Sequence, residues 1–139
     1  MTKLNRKVEY SLMALKYLHA HGEAKVTAKE VAEALHTSFD VMARVMQIMA
    51  QKGLLVSEQG ATGGYRLGQN LNQTSLLDLV EMIEGPTNLV KCISEDGGGC
   101  DIQSSCNIVA PVKNLNSKLT TFFKQISLNE LVVEGTNHV

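Results

Sequence analysis

All three cysteines of the 139-residue chain lie between residues 92 and 106, as Cys92, Cys100 and Cys106. Gly97, Gly98 and Gly99 loosen the backbone between the first two. A C-x7-C-x5-C loop of this kind can bring three sulfurs to one point without helix or strand geometry holding them apart. An odd number leaves one thiol over in any disulfide framework. Grouped thiols in a chain without a secretion signal suit a soft metal or an iron–sulfur cluster. The plain alternative is three loop thiols with no shared task, although free cysteines are more often buried and scattered than grouped.

The residues after the loop form the element that would position it. Ile108, Val112, Leu115, Leu119, Phe122 and Ile126 recur at steps of four and three, a heptad-like seam that Val109 and Phe123 widen. Pro111 is tolerated only in a first turn, so the helix should begin near Ile108 and hold Cys106 at its N-terminus. The helix dipole there favours thiolate over thiol and favours an anionic cluster. About twenty residues of helix extend about 30 Å, more apolar stripe than a small domain needs. A second subunit covering the stripe and an intramolecular core helix both fit the pattern.

Something upstream must be there for such a loop to control. Hydrophobic residues make up 44% of the chain and aromatics 4%, with no Trp, which suits one compact domain with aliphatic packing. The net charge of −1 gives no global attraction for nucleic acid, but the charges are unevenly spread. Through Arg66 there are nine basic residues against six acidic, and beyond it four against eight. A basic front half and an acidic back half suit a polyanion-binding module joined to a sensing or dimerising one. Lys7, Glu9 and Lys16 interrupt the N-terminal apolar residues, and no apolar run is long enough to span a bilayer, so a cytoplasmic protein without membrane contact is expected. No serine–histidine pair sits in a nucleophile motif and no carboxylates are paired, so no enzymatic activity is expected.

A first helix is predicted over residues 5–20, with Val8, Leu12, Leu15 and Leu18 on one face and His21-Gly22 as its stop. His19 and His21 read as solvated residues at a helix end rather than as ligands. Thr27 and Glu30 form a capping box that opens a short helix packing through Val31 and Leu35. A tight turn through His36-Thr37 leads to Ser38, the N-cap of the next helix. Met42, Val45, Met46 and Met49 line one side of that helix, and Asp40, Ala43, Arg44, Gln47 and Gln51 the other. Two short helices with a tight turn and a slim polar outer face describe either a helix-turn-helix or an ordinary helical hairpin.

The following segment favours the former. Gly53 should end the helix, residues 54–58 read as a strand, residues 59–64 as a turn and residues 65–67 as the returning strand. A hairpin directly after such a helix is the wing of a winged helix, and its glycines let the tip approach a phosphate backbone closely. A nucleotide-cradling loop fits less well, because the turn lacks a Gly-Lys-Ser/Thr ending and no helix follows it. The candidate DNA contacts are therefore Thr27, Ser38, Asp40, Ala43, Arg44 and Gln47, with Gln59, Gly60, Thr62, Gly63, Gly64 and Tyr65 from the wing.

Residues 54–68, running from Leu54 through Gln59-Gly60-Ala61-Thr62-Gly63-Gly64 to Gly68, resemble the wing of the IscR/NsrR/RirA family of bacterial winged-helix repressors. Residues 4–10, 75–80, 83–86 and 127–132 resemble the same family, so the similarity spans almost the whole chain. It implies a mainly α fold with a small β-hairpin wing, a winged helix-turn-helix joined to a long C-terminal dimerisation helix. DNA binding would lie in residues 1–70, and the cluster loop and dimerisation helix in residues 71–139. The family further implies a homodimer with crossed C-terminal helices, a cluster beside that interface, and winged helices reading a palindromic operator in double-stranded DNA.

Two positions depart from the family. Gln59 stands where family wings usually carry an arginine that enters the minor groove, which should reduce the electrostatic share of affinity. Val109 stands where some members supply a histidine ligand, so the fourth ligand of a cluster must come from elsewhere. Glu9 of the partner subunit matches a carboxylate used by certain nitric-oxide-sensing relatives, with Asp96, Asp101 and Asn107 as local alternatives. The leading expectation is a DNA-binding regulator controlled by a 2Fe–2S or 4Fe–4S cluster, acting on iron–sulfur assembly or iron homeostasis genes. A nitric-oxide-, thiol- or zinc-responsive repressor on the same fold and a small iron–sulfur redox protein are the alternatives. Whether the apo or the holo form binds DNA stays open at this level.

Overall fold

The computed structural model describes residues 4–61, 63–68, 71–86 and 107–133. Helix α1, Arg6–His21, starts on Asn5, whose side chain accepts the Val8 N–H at 3.0 Å. Its inner face buries Val8, Leu15 and Leu18 as the periodicity predicts, together with Ala14 and Ser11. Leu12 is only half-buried. Ser11 can occupy the apolar face because its hydroxyl donates to the Lys7 carbonyl at 2.9 Å, leaving no unpaired donor in the core.

Helix α2, Ala28–Leu35, and helix α3, Phe39–Gln51, form the helix-turn-helix. Thr27 accepts the Glu30 N–H at 3.1 Å, but the returning bond of the expected capping box differs: the Glu30 carboxylate accepts from the Thr27 hydroxyl at 3.3 Å. The turn after α2 closes through His36 in the left-handed conformation, φ 54°, and Thr37 N–H reaches back to the Ala32 carbonyl at 3.0 Å. This is a Schellman-type ending in which a histidine occupies the position that glycine usually holds. Ser38 then caps α3, and Met42, Val45, Met46 and Met49 are all buried. Gly53, at φ 86°, turns the chain out of the helix.

Strands β1, Leu55–Glu58, and β2, Gly64–Leu67, pair antiparallel with Leu55 opposite Leu67 and Glu58 opposite Gly64. Val26 adds a short third edge, exchanging N–H···O bonds of 2.9 and 2.8 Å with Tyr65. This contact explains one wing glycine. A Cβ on Gly64, whose φ is 150°, would lie 3.0 Å from the Val26 carbonyl group, and one on Gly63 would run into the Glu58 carbonyl oxygen. Close approach of the wing to its own backbone therefore requires these glycines, whatever the tip touches.

After a single 3-10 turn at Leu71–Gln73 come α4, Leu76–Glu84, and, beyond residues 87–106, α5, Val109–Gln125, and α6, Leu128–Val132. Ser75 with Asp78 and Ser127 with Glu130 form two full capping boxes. The two helix starts are tied together: Leu76 N–H donates to the Ile126 carbonyl and Leu128 N–H to the Thr74 carbonyl, both at 2.8 Å. Leu128 and Val132 thereby join the apolar cluster built by Val8, Leu15, Met46, Leu54 and Leu79. Burying each such side chain contributes about 1.5–3 kcal/mol, which is what anchors the end of α5 to the helix-turn-helix.

The architecture is mainly helical with a two-stranded hairpin, a winged helix-turn-helix followed by a longer C-terminal helix. Among the described residues no helix is long and apolar enough to cross a membrane.

Candidate nucleic-acid interface

The outer side of α3 and the wing face the same groove. Asp40, Arg44, Gln47 and Gln51 are exposed along α3 and Ala43 is half-buried, while Ser38 is exposed at its start. Arg44 Nη1 donates to Gln47 Oε1 at 3.3 Å, so the two side chains share one geometry on the helix surface. A groove of about 590 Å³ separates α3 from the wing and is lined by Thr27, Gln47, Gln51, Gln59, Gly63 and Tyr65, among others. The structure thus brings Thr27, Gln47, Gln59, Gly60, Gly63, Gly64 and Tyr65 to one groove, with Ser38, Asp40, Ala43 and Arg44 on α3, the helix that forms its other wall. Thr62, also named from the sequence, lies outside the described residues.

The base of the wing carries a charge cluster that sequence reasoning missed. Glu58 meets Lys25 Nζ at 2.5 Å and Arg66 Nε at 3.9 Å. The hydrogen bond from Lys25 outweighs the desolvation that opposes it and, with the charges of Lys25 and Arg66, holds the Glu58 carboxyl below its ordinary value. One carboxylate therefore offsets one of two cations beside the groove. The groove itself is lined mainly by amides, hydroxyls and backbone rather than by free positive charge. Glu58 and Arg66 lie in the two predicted strands, but nothing in the residue spacing links Lys25 to them, because Lys25 arrives beside the hairpin through the Val26–Tyr65 bridge.

Phe39, the first residue of α3, was also passed over and is among the exposed large apolar side chains. The others include Ile108, Leu115, Leu119 and Phe122, four members of the seam predicted on the C-terminal helix. That seam divides. Phe123 and Ile126 turn against the core, whereas Ile108, Leu115, Leu119 and Phe122 stay outside it.

Cys92, Cys100 and Cys106 lie outside the described residues, as do Asp96 and Asp101. Glu9 is exposed in the first turn of α1, and Asn107 is exposed just before α5. Helices α1, α2, α3, α4 and α6 each begin on a side chain that caps the first turn, from Asn5, Thr27, Ser38, Ser75 and Ser127. Helix α5 begins on Ile108, and among the described residues no side chain caps its first turn. The residues present fit an anionic iron–sulfur group. Three thiols end two residues before that uncapped start, where the helix dipole favours negative charge. Among the described residues no three His, Cys, Asp or Glu side chains converge on a common point.

A family model described as Rrf2, iron-dependent transcriptional regulator, matches residues 4–134. The chain is 26% identical over 134 residues to the HTH-type transcriptional regulator IscR of Aliivibrio salmonicida, covering 96% of this chain and 79% of that protein. Among solved structures it shares its fold with CymR, the global cysteine regulator of B. subtilis, at a TM-score of 0.71 and 23% identity over 96% of this chain and 98% of the other. T. potens IscR superposes at a TM-score of 0.68 and 20% identity, covering 96% and 88%. The resemblance read from the wing and the flanking segments is borne out by these matches.

Proposed function

The chain belongs to the Rrf2 family of transcriptional regulators, and from that premise we propose that it is a cytoplasmic homodimer whose binding to a palindromic operator is controlled by an iron–sulfur cluster. The observation that carries this reading is the junction at Ile108. Three cysteines end two residues before Ile108, the start of a helix that no described side chain caps and whose outer face is apolar. Residues 1–70 would contact DNA and residues 71–139 would sense and dimerise. The genes under control would be those of cluster assembly or iron homeostasis.

Each part of the chain has a task in this scheme. Leu115, Leu119 and Phe122 would pair two copies along α5, while the Ser75–Ser127 bridge holds the far end of α5 to the start of α4 and Leu128 and Val132 join it to the core that α3 shares. Two α3 helices could then enter successive major grooves, about 34–36 Å apart, only at one relative setting of the two α5 helices. Cys92, Cys100 and Cys106, with Glu9 of the partner subunit, would hold the cluster, which supplies an iron- and redox-sensitive link when bound. Coupling of this kind between two sites is typically about 1–3 kcal/mol. Thr27, Ser38, Asp40, Ala43, Arg44 and Gln47 would meet DNA from the helix-turn-helix, and Gln59, Gly60, Thr62, Gly63, Gly64 and Tyr65 from the wing.

A second reading keeps the fold and replaces the cluster with zinc or with the thiols themselves. The structural likeness to CymR, described as a global cysteine regulator, favours it. Isolation under anaerobic conditions separates the two. Iron, sulfide and visible charge-transfer absorption support the cluster, and each should be lost in Cys92→Ala, Cys100→Ala or Cys106→Ala while the helical content stays. Glu9→Ala should assemble the cluster but lose it faster under oxygen or nitric oxide. A colourless wild-type protein, or full iron and sulfide in a cysteine variant, would overturn the assignment. Arg44→Ala should weaken operator binding severalfold and lower the salt slope by about one.

A further inference from the structure

The leading edge of α3 is apolar where a DNA-reading helix usually carries hydrogen-bonding side chains. Phe39 occupies the first helical position and is 51% exposed. Ala43 lies four residues later, which puts its methyl group on the same side of the helix one turn further along. Ser38 precedes this strip, and Asp40 and Arg44 flank it. In helix-turn-helix complexes it is the N-terminal part of the second helix that meets base edges. The strip leads through Ala43 to Gln47, four residues further on, and so adjoins the face on which bases are read, while on its other side Phe39 borders a hollow with Lys29, Ala32, Glu33, His36 and Thr37.

An apolar strip cannot satisfy the donors and acceptors that most base edges present. Placed against the N7 and O6 of guanine or the amino group of cytosine, it would strip those groups of water and give nothing back. One feature of the major groove suits it: the 5-methyl group of thymine. We propose that Phe39, with Ala43 beside it, is a specificity-determining residue that reads the methyl group of one thymine in each operator half-site. The inference rests on the DNA-binding reading above and adds the base chemistry that the first turn of α3 selects.

The test uses the full-length protein and a duplex enriched by it from a random-sequence pool. Each thymine of that duplex is exchanged in turn for uracil, which removes the methyl group and leaves base pairing unchanged. Wild-type protein should lose about three- to fivefold in affinity at one thymine per half-site, the scale of one buried methyl group, and little elsewhere. Phe39→Ala should bind the thymine duplex as weakly as wild type binds the uracil one, and should no longer distinguish the two. The salt dependence of its binding should match wild type, since Phe39 carries no charge. Circular dichroism should be unchanged, because the residue is exposed on the first turn. Wild-type indifference to every uracil exchange, or full thymine discrimination in Phe39→Ala, overturns the role of Phe39 while leaving DNA binding intact. A wild-type protein that enriches no duplex overturns DNA binding itself, and the Phe39 reading with it.

Discussion

Replacing Phe122 with Ala tests whether α5 pairs two copies of the chain. Phe122 is 57% exposed, Ile108 55%, Leu115 51% and Leu119 38%, and all four belong to the predicted seam. Fully burying a side chain of this size is worth about 1.5–3 kcal/mol, so covering the exposed half of Phe122 contributes about 1 kcal/mol per subunit. A two-fold interface uses the residue twice. The variant should therefore lose about 2 kcal/mol of association energy, close to a thirtyfold weaker dimer. The fold should survive, because Phe123 and not Phe122 packs against the core. Ser117 is exposed and lies two residues from Leu119, on the far side of the helix, so Ser117→Ala serves as the control. Sedimentation velocity across a dilution series measures the dissociation constant, and circular dichroism checks helix content. An unchanged constant in Phe122→Ala, or a wild-type protein that sediments as a monomer throughout, would refute the assignment of this face.

Two further outcomes follow from the wing. Gly64→Ala forces a Cβ to within 3.0 Å of the Val26 carbonyl at a φ of 150°, which should cost about 1–3 kcal/mol and lower the melting temperature by several degrees; an unchanged melting temperature would mean that the Val26–Tyr65 bridge opens freely. Glu58 has its carboxyl held below the ordinary value of 4.5 by the hydrogen bond from Lys25, so its stabilising effect is present above 4.5 and lost as pH falls through the lowered value. Thermal unfolding from about pH 6 to about pH 3 should thus show a shallower acid decline in Glu58→Gln than in wild type, with the difference shrinking at high salt. Parallel curves would show that the Lys25–Glu58 pair contributes nothing measurable, as many exposed pairs do.

Much of this molecule was legible in its residues because the signals act over one turn of chain. Thr27 and Ser38 cap the helices that follow them, Gly53 ends α3, and the glycines around residue 60 turn the hairpin. The stripe of Met42, Val45, Met46 and Met49 is buried as its spacing requires. The grouped cysteines and the long apolar seam were likewise read directly, since residue type and spacing are sufficient for both. These features need only a partner three or four residues away, or none.

Tertiary structure decided which candidate faces are used and by what. The seam on α5 carried no sign that Phe123 would turn inward and Phe122 outward, because that depends on where α4 lies against the helix. The pairing of Val26 with Tyr65 brings Lys25 to Glu58, and the pairing of Ser75 with Ser127 locks the end of α5 to the start of α4; each joins segments far apart in the chain. Ser11 entered the core on the same terms, since a buried hydroxyl is tolerated once the Lys7 carbonyl accepts from it. Residue spacing specifies what a segment can present, but an edge, an ion pair or a buried face exists only when packing has brought its other half alongside.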